Sequence, residues 1–169
     1  LEQHLPPDKC LIFSGFRGVL SLADIGNIDV EFIASANWLA SAQIAAKHIQ
    51  NGVFIDIGST TTDILTLCDY EVTCEGYTDF QRLITGELVY TGVVRTPIMA
   101  LCRTAPFMHF EVGIMAEHFA TTSDIYRVTQ DLNPEHDQYD TADGAPKTLR
   151  NSAIRLSRLI GYDYKDNDT

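Results

Sequence analysis

At 169 residues, 45% of them apolar and 21% charged, the chain is long enough to bury the core of about one domain and too apolar to be a disordered segment. Its 23 acidic and 12 basic residues leave a net charge of −11, which argues against generic binding to nucleic acid or to an anionic membrane surface, since neutralising phosphates takes clustered cations. Cys10, Cys68, Cys74 and Cys102 form no CxxC pair, and neither a signal peptide nor a membrane span is visible, so reduced thiols in a cytoplasmic setting are expected.

Residues 10–14 (CLIFS) and 18–22 (GVLSL), separated by Gly15 and Gly18, predict two short strands. Ser35 stands as the cap of a helix over about Ala36–Ile49, with Ile44, Lys47 and His48 on successive turns and Asn51-Gly52 as its stop. A strand, Val53–Ile57, follows at once, giving the β-α-β alternation of an α/β domain. Its run of Val53, Phe54, Ile55 and Ile57 reads as a buried strand, with Asp56 embedded where a charge is costly unless paired or coordinated. Gly58 allows a tight turn, Ser59, Thr60, Thr61 and Thr62 bring hydroxyls and backbone N–H groups to one spot, and Asp63 opens the return strand Ile64–Leu67. Glu71–Tyr77 continues the meander, with Asp69 and Tyr70 in the turn. Thr96 as N-cap and Pro97 at the first helical position start a helix through Ile98–Cys102, and further helices are expected over about Val112–Ala120 and Lys147–Ile160. In the last of these Leu149, Ala153, Leu156 and Ile160 share a face, Arg150, Arg155 and Arg158 lie away from it, and Gly161 closes it; a polar tail, 164–169, is expected to fray.

The loop after Val53–Ile57 carries the chemistry. Two carboxylates, Asp56 and Asp63, flanking a hydroxyl-rich turn suit a hydrated Mg²⁺, which takes one or two carboxylates together with phosphate oxygens and water. The bland alternative is a hairpin whose Ser/Thr run satisfies only its own turn. A second set is Arg82, Glu87, Tyr90, Thr91 and Arg95: Gly86 and Gly92 bracket a segment of close backbone approach, Arg95 before a helix start suits an anion, and Glu87 is a candidate base or metal ligand. For Arg95 the competing reading is an ordinary salt bridge to Glu87 or Asp79. A third set, Glu117, His118, Asp124, His136, Asp137, Asp140 and Asp143, is dense in His and carboxylate but matches no helix-borne ligand spacing, so a solvated acidic face is the better reading.

The string IDIGSTTTDI resembles the second phosphate motif of the sugar-kinase/Hsp70/actin superfamily in its hydantoinase A/oxoprolinase-like variant. GELVYTGVVRTP at 86–97, with SANWLASA, FATTSDIYRVT, TADG and SAIRLSRLIGYD, is similar to a subgroup of tetrahydromethanopterin-linked one-carbon transfer proteins that includes methanofuran biosynthesis. The resemblance covers most of 10–163 and implies a ribonuclease-H-like, actin-like ATPase fold, with 1–50 as the end of a first lobe and 51–163 as a phosphate-motif domain. Only one phosphate motif is present, Asp24-Ile25-Gly26 lacks a leading apolar strand, and the chain starts at Leu1, so an incomplete fold, a fragment, is expected. The resemblance further implies that Gly58, Ser59, Thr60, Thr61, Thr62 and Arg95 bind phosphate, that Asp56 and Asp63 organise Mg²⁺ or water, that Glu87 joins them in catalysis, and that Arg82, Asp140 and Asp143 are secondary candidates. The implied activity of the intact protein is a transferase step in methanofuran-type cofactor assembly, displacing diphosphate from an aminomethylfuran to form an aryl ether. An ATP-dependent hydantoinase- or oxoprolinase-type hydrolase and a non-catalytic phosphate-binding scaffold are the alternatives. The expected partner is a small phosphate or diphosphate ligand, ATP included, with no nucleic acid or membrane, and a homo-oligomer stays open.

Overall fold

The computed structural model describes residues 10–27, 29–34 and 36–165. Their fold is mixed α/β, and they divide into two compact units: the described residues through Asp56 with Thr62–Val89, and Ile57–Thr61 with the described residues from Tyr90 onward. No helix among the described residues is long and apolar enough to cross a membrane.

The first unit opens on the expected hairpin, β1 (Leu11–Phe13) against β2 (Val19–Ser21), in the register Leu11↔Ser21 and Phe13↔Val19. Helices α1 (Asp29–Ala34) and α2 (Asn37–Ala46) follow. Ser35, the expected cap, lies outside the described residues; α2 ends at Ala46 rather than Ile49, so Lys47 and His48 belong to the following turn. The sheet comprises β3 (Gly52–Ile57), β4 (Thr62–Cys68), β5 (Glu71–Thr73) and β6 (Leu88–Val89). Strand β4 pairs with β3, with β5 through Thr66–Cys68 and with β6 through Thr62 and Asp63. Asp69 (φ 50°) and Tyr70 (φ 66°) make the two-residue left-handed turn whose twist suits a hairpin, and β5 stops at Thr73 rather than running to Tyr77.

Trp38, Leu39 and Ala42 of α2 bury Leu65 of β4, with Phe13, Phe54, Val72 and Cys74 packed around them. Strand residues two apart share a face, so Phe54 and Asp56 belong to one side of β3 and Val53, Ile55 and Ile57 to the other. The second side is uncovered: Val53, Ile55 and Ile57 are 63%, 56% and 59% exposed, and Asp56 is exposed as well. The expectation of a strand buried on both faces is thus corrected, because α2 covers only the Phe54 side, and Asp56, although on that side, stands near the end of β3 and is exposed rather than embedded.

A helix that the sequence reading passed over, α3 (Asp79–Thr85), opens on a capping box. Thr78 Oγ1 accepts the Gln81 N–H at 3.3 Å while Gln81 Oε1 accepts the Thr78 N–H at the same distance. It ends on Gly86 at φ 78°, the left-handed C-cap that glycine reaches without strain. A Cβ at Gly86 would meet no atom, so this glycine ends a helix and makes no close approach.

In the second unit α4 is short (Ile98–Leu101), and its N-cap is Pro97 rather than Thr96. The helix expected over 112–120 is absent. A hairpin stands there instead, β7 (Thr104–Phe107) with β8 (Phe110–Gly113), paired Ala105↔Val112 and Phe107↔Phe110 around a turn with Met108 at φ 56°. Helix α5 (Thr122–Val128), also unforeseen, starts on a second capping box between Thr121 and Asp124. Helix α6 (Leu149–Leu159) and its glycine stop, Gly161 at φ 68°, match expectation. Ile98, Ala120 and Leu159 form the core, with Ile114, Phe119, Ile125 and Leu156 against it.

Candidate functional site

Gly58–Thr61 joins β3 to β4, and the Gly58 N–H closes it on the Thr61 carbonyl at 2.8 Å. The carbonyls of Gly58 and Ser59 are taken from behind by the segment 92–95. Val93 N–H donates to Gly58 O at 3.0 Å, and Val94 and Arg95 N–H donate to Ser59 O at 3.1 and 2.8 Å. With the carbonyls so engaged, the N–H groups of Ser59, Thr60 and Thr61 have no acceptor among the described residues. Successive free N–H groups beside three hydroxyl side chains are donors of the kind an anionic oxygen takes.

The backing segment fits only because residue 92 is glycine. A Cβ there would lie 2.5 Å from Thr60 N and 2.6 Å from Gly58 O. Gly92 is held by buried hydroxyls: its N–H donates to Thr96 Oγ1 at 2.7 Å, and its carbonyl accepts from Thr122 Oγ1 at 2.9 Å. Thr96, expected to cap a helix, therefore anchors the strap behind the loop instead. The close approach expected of Gly92 is present.

Arg95 extends from this strap into solvent. Its guanidinium stacks over the ring of Tyr139, 4.8 Å from the centroid. Hydrogen bonding to Ser59, and then the nearby Arg95 charge, hold the Tyr139 hydroxyl below the usual tyrosine pKa. Sequence reasoning singled out the neighbours of Tyr139 but not the residue itself; nothing local marks it, because its partners are far away along the chain.

In the first unit Asp63 and Arg82 are joined, Oδ1 to Nη2 at 2.6 Å. Arg82 is 1% exposed, lies 3.8 Å from the Trp38 ring centroid, and also donates to Glu87 O at 3.1 Å. The Glu87 carboxylate accepts from the N–H groups of Glu75 and Gly76, at 2.7 and 2.8 Å, and from the Thr85 hydroxyl at 2.9 Å. In this arrangement it holds a turn. The Asp56 carboxylate forms no hydrogen bond or ion pair among the described residues. No group of three or more His, Cys, Asp or Glu among the described residues could hold a metal ion by itself. A hydrated Mg²⁺ asks for fewer protein ligands, and of the two aspartates Asp56 has the free carboxylate, whereas Asp63 is committed to a cation.

That commitment is testable. Asp63→Asn keeps an acceptor for Arg82 but removes the charge, and is expected to cost about 1–3 kcal/mol of stability. Urea unfolding measures it; unchanged stability with lost Mg²⁺ affinity would instead make Asp63 a metal ligand.

The model of the hydantoinase/oxoprolinase family matches residues 2–166. The chain belongs to this family. Among curated relatives, a (4-{4-[2-(gamma-L-glutamylamino)ethyl]phenoxymethyl}furan-2-yl)methanamine synthase of Methanocaldococcus jannaschii is 36% identical over 132 residues, 78% of this chain and 40% of that protein. One of the same name from Methanococcus vannielii is 36% identical over 123 residues, 72% of this chain and 55% of that protein. The chain thus spans about half the length of these relatives or less.

Within this family member the remaining candidates fall elsewhere. Asp140 is exposed. Asp143 pairs with Arg155 at 3.0 Å and Arg158 at 3.2 Å; despite the opposing effect of burial, the Ala145 N–H and Arg155 hold its carboxyl below the ordinary range. Arg155, expected to point away from the core, is fully buried, because Asp124 receives its Nε at 2.9 Å alongside Arg127 Nη1 at 2.9 Å and Ser152 Oγ at 2.8 Å. Asp124 and Asp137 are therefore buried partners of arginines rather than part of a solvated acidic face.

Proposed function

We propose that this chain is the diphosphate-holding part of an ether-forming synthase. The phenol oxygen of one substrate attacks the CH₂ of an aminomethylfuran diphosphate, the C–O bond to diphosphate breaks as the aryl C–O bond forms, and the phenol proton passes to solvent or a base. What carries this reading is that the two relatives, each 36% identical, bear the name of a synthase whose product holds such a phenoxymethyl-furan ether. The loop supports it. A departing diphosphate develops negative charge, and fixed N–H donors, hydroxyls and Arg95 are groups that stabilise it without reorganising. Asp56, whose carboxylate has no partner among the described residues, would hold Mg²⁺. Asp63, with Arg82 and Glu87, would hold the strand end that presents Asp56. We place the chain in the actin-like, ribonuclease-H-like class, in which consecutive adjacent strands such as β3, β4 and β5 open a lobe, and in the cytoplasm.

The test uses the full-length protein with Mg²⁺, an aminomethylfuran diphosphate and a phenol. Diphosphate release matched one to one by ether is the expected result. Release of inorganic phosphate from ATP, dependent on a hydantoin or oxoproline and without ether, would replace this reading with the hydrolase; turnover of neither substrate would leave a binding scaffold. Asp56→Asn is expected to lower kcat/KM by at least about tenfold, since even partners one step removed from a metal commonly cost that much. Its unfolding midpoint should not move, because Asp56 has no protein partner to lose.

A further inference from the structure

We propose that Tyr139 is a positioning residue of the anion loop, holding the Ser59 hydroxyl and the Arg95 guanidinium where one diphosphate oxygen can meet both. The proposal rests on the reading of this loop as a diphosphate site. The backbone of Arg95 is pinned, its N–H bound to Ser59 O at 2.8 Å, but its guanidinium is carried on a long exposed stem. Ordering such a stem at the moment of binding costs rotamer entropy, which a ring stacked under the guanidinium removes in advance. Tyr139 supplies that ring, 4.8 Å from the guanidinium carbon, and its hydroxyl, held below the usual tyrosine pKa first by Ser59, serves the loop as well, so one side chain addresses both donors.

Tyr139 is itself well anchored. Two residues earlier, the buried Asp137 pairs with Arg127 and lies 3.5 Å from the Lys147 ammonium, which donates its hydrogen bond to the Asp137 carbonyl at 2.5 Å. The ring is 43% exposed, so packing accounts for little of its placement, and its polar contacts go to the loop and its strap.

The experiment measures binding of inorganic diphosphate, inorganic phosphate and ATP, each with Mg²⁺, by calorimetry on the full-length protein and its variants. Tyr139→Phe, which keeps the stack and loses the hydroxyl, should weaken diphosphate binding about three- to tenfold, the range of one hydrogen bond. Tyr139→Leu should weaken it further, and in an Arg95→Gln background the same change should cost clearly less, because the stack is already lost. Neither Tyr139 variant should shift the unfolding midpoint. Unchanged or tighter binding by Tyr139→Phe, or additive losses with Arg95→Gln, would overturn the proposal; tighter binding would mean that the phenol competes with the anion. If ATP or phosphate binds in place of diphosphate and the same pattern holds, the positioning role stands while the diphosphate reading falls. If the parent protein binds none of the three, both fall.

Discussion

Gly92→Ala is expected to disable the loop outright. The new methyl would stand 2.5 Å from Thr60 N, 2.6 Å from Gly58 O and 2.6 Å from the Ser59 carbonyl carbon, all backbone atoms with no side-chain freedom to yield. Either the strap lifts, breaking the bonds from Val93, Val94 and Arg95 to the loop carbonyls, or the loop distorts. Overpacking of this kind costs about 1–3 kcal/mol, and here it falls on the elements that aim the free N–H groups. Diphosphate affinity should therefore fall much further than stability does. Gly86→Ala is the control: its Cβ meets nothing, and the penalty is only that of a left-handed residue, about 1–2 kcal/mol, with binding retained. Denaturant unfolding and calorimetry on both variants decide the matter; a Gly92→Ala protein that binds diphosphate like its parent would show that the strap does not shape the site.

Asp124→Ala should be the most damaging single change to the second unit. Asp124 is 1% exposed, and its Oδ1 receives Arg155 Nε, Arg127 Nη1 and Ser152 Oγ, while Oδ2 caps α5 through the Thr121 N–H at 3.1 Å. Its removal strips that cap and leaves Arg155, wholly buried, with Asp143 as its remaining carboxylate. Breaking a buried pair by deleting one partner costs about 3–5 kcal/mol, because the other charge stays where water cannot reach it. Asp124→Ala combined with Arg155→Met should recover part of that loss, since no stranded charge remains. The comparison of urea midpoints is the measurement. A single variant as stable as the parent would mean that the network contributes nothing net.

The loop was legible in the sequence because its signal is local: an apolar strand, a glycine, a run of hydroxyls and a return strand are contiguous, and the hairpin simply folds them together. Helix α6 was legible for the same reason, through its periodicity and glycine stop, yet the direction of Arg155 was not, since a cation turns inward only when distant Asp124 and Asp143 await it. Helix α3 carried a readable start, Thr78 with Gln81 three residues on, and α5 a weaker one in Thr121 and Asp124. The helix expected over 112–120 failed because Phe110–Gly113 pairs with Thr104–Phe107, and a strand's partner is not written in its own letters. The same limit hid Tyr139, whose relation to Ser59 and Arg95 exists only after folding.

Trp38 is the single tryptophan of the chain, and it lies beneath the guanidinium that pairs with Asp63. Its fluorescence is therefore a built-in reporter of the first unit alone, sensitive to whether Arg82 remains stacked on the indole. The second unit has no tryptophan and is silent at that wavelength. Emission followed beside far-ultraviolet circular dichroism would separate the melting of the two units without a label, and would say which of them any given substitution loosens.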